Sequence, residues 1–168
     1  MIHERYSEQG LHATVLTWFF GIGSFNETFD EFLERRSQVP AAARKPLVLL
    51  ADDEVLIRDT MTEILRAEGY DAFAVPDGVE AIECAAKVAP DVFLADVSMP
   101  RMNGIEAAKQ ILQRAPDTHV ICISGHAATS ELLAQARKEG RNFDFLGKPI
   151  RPETLLQAIR TKVGRSIL

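Results

Sequence analysis

The feature that most restricts this chain is a rhythm beginning after residue 46, in which five short β-rich apolar runs are each followed by a stretch with helical spacing. The runs are Leu47 to Ala51, Tyr70 to Ala74, Val92 to Ala95, His119 to Ile123 and Phe143 to Leu146. Apolar residues then recur at helical intervals. The first stretch carries Val55, Met61, Ile64 and Leu65; the second, capped by Asp77 with Glu80, carries Ile82 and Ala85. The third carries Ile105, Ala108, Ile111 and Leu112, and the fourth Leu132, Leu133 and Ala136. The last has Pro152 at its first helical position, ahead of Leu155, Leu156, Ile159 and Val163. Near-continuous apolar strands alternating with helices predict an α/β fold with a parallel sheet covered on both faces.

The rest of the chain is short. The 168 residues of the whole chain hold one ordinary core and an appendage. Gln38 to Lys45 has small residues, a proline and no periodic face, as a linker does, so the division falls at 1–45 for a leader and 46–168 for the domain. Within the leader, Ser24 and Glu27 have capping-box spacing, and Phe25, Phe29, Phe32 and Leu33 share one face, which predicts a short amphipathic helix over about 25–36. Leu11 to Phe25 is apolar but falls short of the roughly 20 residues a membrane span needs. Two cysteines are too few for a disulfide framework and are expected in the core, consistent with a reduced, cytoplasmic protein. A net charge of -5 argues against nucleic acid as a direct partner, because phosphate neutralisation requires clustered Lys and Arg.

In open parallel sheets the ligand crevice lies beyond the carboxyl ends of the strands, where strand order reverses. Asp52, Asp53 and Glu54 follow the first run, Asp96 the third, Ser124 the fourth, and Lys148 with Pro149 the fifth. If the strand order is 2-1-3-4-5, Asp52, Asp53 and Asp96 converge, and their mutual repulsion calls for a cation. Magnesium suits the site, since it takes a few carboxylates and keeps its remaining positions for water and phosphate oxygens. An aspartate beside such a metal can accept a phosphoryl group, with Lys148 and Ser124 helping to neutralise the equatorial oxygens.

Four segments then resemble the response-regulator receiver domains of two-component signalling, which have the flavodoxin-like, CheY-like fold. They are Leu50-Ala51-Asp52-Asp53-Glu54, the run from Asp96 to Gly104, Ile123-Ser124-Gly125-His126, and Asp144-Phe145-Leu146-Gly147-Lys148-Pro149. The resemblance spans Pro46 to about Val163. It implies that Asp96 accepts phosphate from a sensor histidine kinase or a histidine phosphotransfer protein. It also implies that Asp53 and Asp96 bind Mg2+ directly, Asp52 binds it through water, and the backbone carbonyl of Ser98 completes the site. Lys148, joined to Pro149 by a cis bond, would pair with the phosphate. Ser124 would swing toward the phosphoryl oxygens and Phe145 would turn inward, re-shaping the surface of the domain's fourth helix, fifth strand and fifth helix. The chain would thus be a phosphorylation-controlled switch that catalyses its own phosphotransfer and slow dephosphorylation, rather than an enzyme.

The sequence departs from the family pattern at Arg141 and Asn142, where receivers usually carry Gly-Ala; Gly140, one residue earlier, is expected to close the fourth helix. His126 is expected to be solvated. Only five residues follow Val163, which suggests a stand-alone receiver acting on an unknown downstream protein. Three rival readings fit the residues less well. A haloacid-dehalogenase-type phosphatase would carry Asp-x-Asp after the first strand, whereas position 54 is Glu. In a flavodoxin, acids at 52 to 54 would repel the flavin phosphate. A phosphate-independent protein-binding module would not need to retain the acids and the lysine.

Overall fold

The computed structural model describes residues 27–125, 129–141 and 143–164. The chain falls into two compact units, Met1–Val39 and Pro40–Leu168. In the first, α1 (Phe29–Ser37) is capped by Thr28, whose hydroxyl accepts from the Glu31 amide while the Glu31 carboxylate accepts from the Thr28 amide at 2.8 Å. This corrects the expected start. A capping box of Thr28 with Glu31 opens the helix at Phe29, four residues later than position 25; Ser24 and Phe25 lie outside the described residues. Phe29 and Phe32 stack with centroids 6.1 Å apart, and the Arg35 guanidinium lies 5.1 Å from the centre of the Phe32 ring. The Leu11 to Phe25 segment lies outside the described residues; no described helix is long and apolar enough to cross a membrane.

In the second unit a short 3-10 turn at Ala41–Ala43 leads into the sheet. The elements that follow are β1 (Leu47–Ala51), α2 (Val55–Ala67), β2 (Asp71–Val75), α3 (Gly78–Lys87), β3 (Val92–Asp96) and α4 (Gly104–Arg114). β4 (His119–Ser124), α5 (Thr129–Lys138), β5 (Asp144–Gly147) and α6 (Pro152–Val163) complete the set. The strands form one parallel sheet of order β2-β1-β3-β4-β5, with Val48 opposite both Ala72 and Val92, and Asp96 opposite Ile123. This is the doubly wound order that the family resemblance implies; the alternating pattern alone leaves strand order open.

Every residue of β1 and β3 is buried. Val48, Leu50, Val92, Leu94, Ile121 and Ile123 face α2 and α6, meeting Leu65, Leu155, Leu156 and Ile159. The opposite face is covered by α3 and α4. There Ile82 is only half-buried, and the buried side of α3 is built from the small residues Gly78, Ala81, Cys84 and Ala85. A β-carbon at Gly78 would lie 2.9 Å from both the Ala107 Cβ and the Met102 carbonyl, so this close seating requires glycine. Of the fourth stripe, Ala136 is buried, while the Leu132 and Leu133 side chains lie outside the described set.

The strand boundaries differ from the sequence reading in an informative way. β3 and β4 each run one residue further, so Asp96 and Ser124 are the last residues of their strands instead of following them. β2 starts at Asp71, because the Tyr70 amide bonds back to the Leu65 carbonyl around Gly69, whose φ is 86°. β5 takes in Gly147, paired with Ser124, and leaves Phe143 outside. Gly140 (φ 78°) closes α5 as expected, with the Arg141 amide donating to the Ala136 carbonyl; Asn142 and His126 lie outside the described residues.

Candidate functional site

The carboxyl ends of β1, β3 and β5 bring the candidate residues together. β1 delivers Asp52, fully buried, whose Oδ1 accepts from the Glu54 amide at 2.9 Å. β3 delivers Asp96, 4% exposed, whose Oδ1 accepts from the Ser98 amide at 3.0 Å. The remaining oxygen of each faces one ammonium: Lys148 Nζ lies 2.7 Å from Asp96 Oδ2 and 3.2 Å from Asp52 Oδ2. Glu54 stands further off, 3.7 Å from the same nitrogen. The Lys148 amide donates to the Ser124 carbonyl at 2.9 Å, which ties the lysine to the end of β4, and the Lys148–Pro149 bond is cis, as expected.

Asp53 completes the cluster from an exposed position. Asp52, Asp53 and Asp96 each offer a carboxylate oxygen, and these atoms lie within 4.8 Å of one another. Three carboxylates against one ammonium leave a local excess of about two negative charges, which a hard divalent cation would offset. An all-oxygen donor set, exposed on one side where water can complete the coordination, fits Mg2+ in both charge and chemistry.

The titration of the buried groups reflects this crowding. Burial pushes the Asp52 carboxyl above its ordinary value of 3.8; the Glu54 amide and the Lys148 charge oppose the rise, and Asp96 adds to it. For Lys148, burial alone would lower the ammonium value, but the hydrogen bond and charge of Asp96, together with those of Asp52, outweigh it and raise it above 10.5. The lysine is therefore held as a cation.

The other predicted residues fall around this centre. Ser124 is 2% exposed at the end of β4, opposite Gly147 and one residue from Lys148. Ser98 is exposed in the loop after β3. Phe145 is 43% exposed on β5, so its ring is not part of the core. Cys84 and Cys122 are buried thiols, as expected, and burial followed by the Asp144 charge pushes the Cys122 thiol up to about 12, which leaves it inert as a nucleophile.

Sequence reasoning missed two arginines. Arg58 Nη1 donates to the Asp52 backbone carbonyl at 2.8 Å. Arg101, in the loop after β3, bonds Asp77 and Glu80. The i, i+6 placement of Arg58 on α2 was available as a hint, whereas the Arg101 contact joins residues 24 apart in different loops and has no local pattern.

The fold and pocket define a class: a doubly wound α/β protein whose strand ends assemble a metal-competent carboxylate cluster around a lysine. The family model described as "Response regulator receiver domain" matches residues 48–160, and the chain belongs to that family. Among curated relatives, a response regulator, MprA, of Mycobacterium leprae is 32% identical over 119 residues, covering 71% of this chain and 51% of the relative. A transcriptional regulatory protein, PdtaR, of Mycobacterium tuberculosis is 38% identical over 119 residues, covering 70% and 57%. The chain thus spans little more than half the length of these relatives. Among solved structures, the chemotaxis protein CheY4 of Vibrio cholerae superposes with a TM-score of 0.62 at 29% identity, covering 70% of this chain and 98% of that one. A CheY-like receiver domain protein of Methanospirillum hungatei gives 0.66 at 25% identity, covering 71% and 94%. Receiver domains of this kind act as phosphorylation-controlled switches.

Proposed function

We propose that residues 46–168 form a phosphoacceptor receiver in which Asp96 takes a phosphoryl group from the phosphohistidine of a sensor histidine kinase or a histidine phosphotransfer protein. The observation that carries this reading is the Lys148 ammonium held within hydrogen-bond distance of both Asp96 and Asp52. A carboxylate oxygen of Asp96 attacks phosphorus, and the O–P bond forms as the N–P bond to imidazole breaks; the departing ring nitrogen keeps the bonding pair and takes up a proton. Bound through Asp53, Asp96, the Ser98 carbonyl and a water on Asp52, Mg2+ would neutralise charge on the transferring oxygens. Lys148 then exchanges a carboxylate partner for a phosphoryl oxygen. Ser124, at the end of the neighbouring strand, is placed to donate its hydroxyl to another. Drawing Ser124 toward the phosphate frees room for Phe145 to turn in from the edge, which alters the surface formed by α5, β5 and α6. This surface would signal to a downstream protein. A phosphate-independent module would have no use for an ammonium bridging two buried acids.

The donor's approach is marked on α2. Val55 and Leu56 are 59% and 78% exposed, directly after the acidic loop, and Leu56 heads an apolar groove of about 280 Å³ lined also by Ile57, Met61, Ile150 and Leu155. Leu56 follows Glu54 by two positions, and this apolar surface suits an apolar helix face on the phosphodonor. The buried cysteine thiols suit a reducing cytoplasm, and the negative net charge suits protein rather than nucleic-acid partners. Mass spectrometry after incubation with Mg2+ and acetyl phosphate tests the chemistry. One phosphoryl adduct is expected in the wild-type protein and none in Asp96→Asn; an adduct that persists in the variant would remove Asp96 from the role. Leu56→Ser should slow transfer from a protein donor about tenfold while leaving the acetyl phosphate reaction unchanged.

A further inference from the structure

We propose that Arg101 is a positioning residue for the phosphoacceptor site, fixing the loop after Asp96 by clamping it to the N-terminus of α3. The inference rests on the phosphoacceptor reading above. The loop from Val97 to Asn103 is tied at both ends. The Val97 amide donates to the Ile123 carbonyl at 2.9 Å, and the Ser98 amide donates to Asp96 Oδ1. At the far end Gly104 sits so close to β3 that a β-carbon there would lie 2.3 Å from the Asp96 carbonyl oxygen. Between these ties the chain reverses through Arg101, the one non-glycine residue with positive φ (64°) among the described residues. A residue bearing a side chain is strained in this region, so something must hold it there.

The clamp supplies that hold. Arg101 Nη2 donates to Asp77 Oδ2, and to Glu80 Oε1 at 3.0 Å. Asp77 is 2% exposed, and its other oxygen already accepts from the Val79 and Glu80 amides at 2.8 and 3.0 Å. The guanidinium, itself more than half exposed, thus brings a positive charge to a carboxylate that is buried. The loop is also seated sterically, because Gly78 admits the Met102 carbonyl where any β-carbon would clash. Cap, clamp and seat all converge on α3, an element with no residue in the acid pocket. Through them α3 sets where Ser98 presents its backbone carbonyl, next to the metal-competent acids. Arg101 touches neither phosphate nor metal in this arrangement; it acts on the site through the loop.

The test compares Arg101→Gly, Arg101→Lys and Asp77→Asn with the wild-type chain. Glycine accepts φ 64° without strain, so Arg101→Gly keeps the turn and deletes only the clamp. Asp77→Asn keeps a capping oxygen and deletes the charge. Mg2+ affinity is read without any phosphodonor, by titrating the Ser98 amide resonance, and the thermal midpoint is recorded alongside. In Arg101→Gly and Asp77→Asn the Mg2+ dissociation constant should rise about tenfold, the scale of an outer positioning contact to a metal site, and Arg101→Lys should recover part of the loss. Unchanged Mg2+ affinity in a folded Arg101→Gly protein would overturn the proposal, whatever its midpoint. If the wild-type protein itself neither bound Mg2+ nor accepted phosphate from acetyl phosphate, the phosphoacceptor reading would fall, and this inference with it.

Discussion

Two phenylalanines on one sheet have opposite surroundings. Phe93, in the middle of β3, has no exposed surface, whereas Phe145, on the edge strand β5, is 43% exposed. The contrast extends to the strands themselves: all five residues of β3 are buried, but three of the four in β5 are exposed. A dense centre resists displacement because packed interiors have few alternative arrangements. An edge with little burial can adopt a second arrangement at small cost. The acid pocket grows from the dense strands and the proposed switching ring from the loose one, so chemistry and readout sit on parts of the sheet with different stiffness.

The contrast is broken or sharpened by substitution. The largest effect is expected from Phe93→Ala, which should cost about 3–5 kcal/mol in urea unfolding. Gly104→Ala comes next, at about 1–3 kcal/mol, because the added carbon meets backbone on β3 that has no room to move; a neutral result would show that the loop yields easily. A smaller effect, of opposite sign, is expected at Asp52. Its carboxyl is raised above 3.8, so the native metal-free state holds the proton more tightly than the unfolded chain. Asp52 therefore costs stability at neutral pH. That cost is relieved as pH falls through the interval between the raised value and 3.8. Asp52→Asn should raise the thermal midpoint of the metal-free protein at neutral pH, weaken Mg2+ binding, and narrow its stability difference from wild type as pH falls through that interval. An equal difference at all pH values would contradict the assigned cause. The smallest effect is expected at Phe145→Ala, within about 0.5 kcal/mol in unfolding; a cost like that of Phe93 would mean the ring is core and the edge is not loose.

Much of this division was legible beforehand. Short unbroken apolar runs such as Leu47 to Ala51, alternating with helical stretches, read as strands covered on both faces, and the acids after them mark the crevice of a parallel sheet. Asp52, Asp96 and Lys148 are therefore legible from their position in the pattern alone. Boundaries were harder. Tyr70 has a strand-forming side chain, yet its amide completes the end of α2, and Gly147 looks like punctuation, yet it pairs with Ser124. Val55 matched the first apolar stripe but, as the opening residue of α2, points away from the sheet and is exposed. The Arg101 clamp was invisible because Asp77 and Glu80 already had an adequate local explanation as helix-capping residues.

The central claim, that a stiff phosphoacceptor centre drives a loose edge, is tested most directly by amide hydrogen exchange with and without Mg2+ and beryllofluoride. The account predicts altered protection along Asp144–Gly147 and in the loop after Asp96, with the amides of Leu47–Ala51 and Val92–Ala95 unchanged. Equal changes across β1 and β3, or an unchanged β5 with beryllofluoride bound, would contradict it.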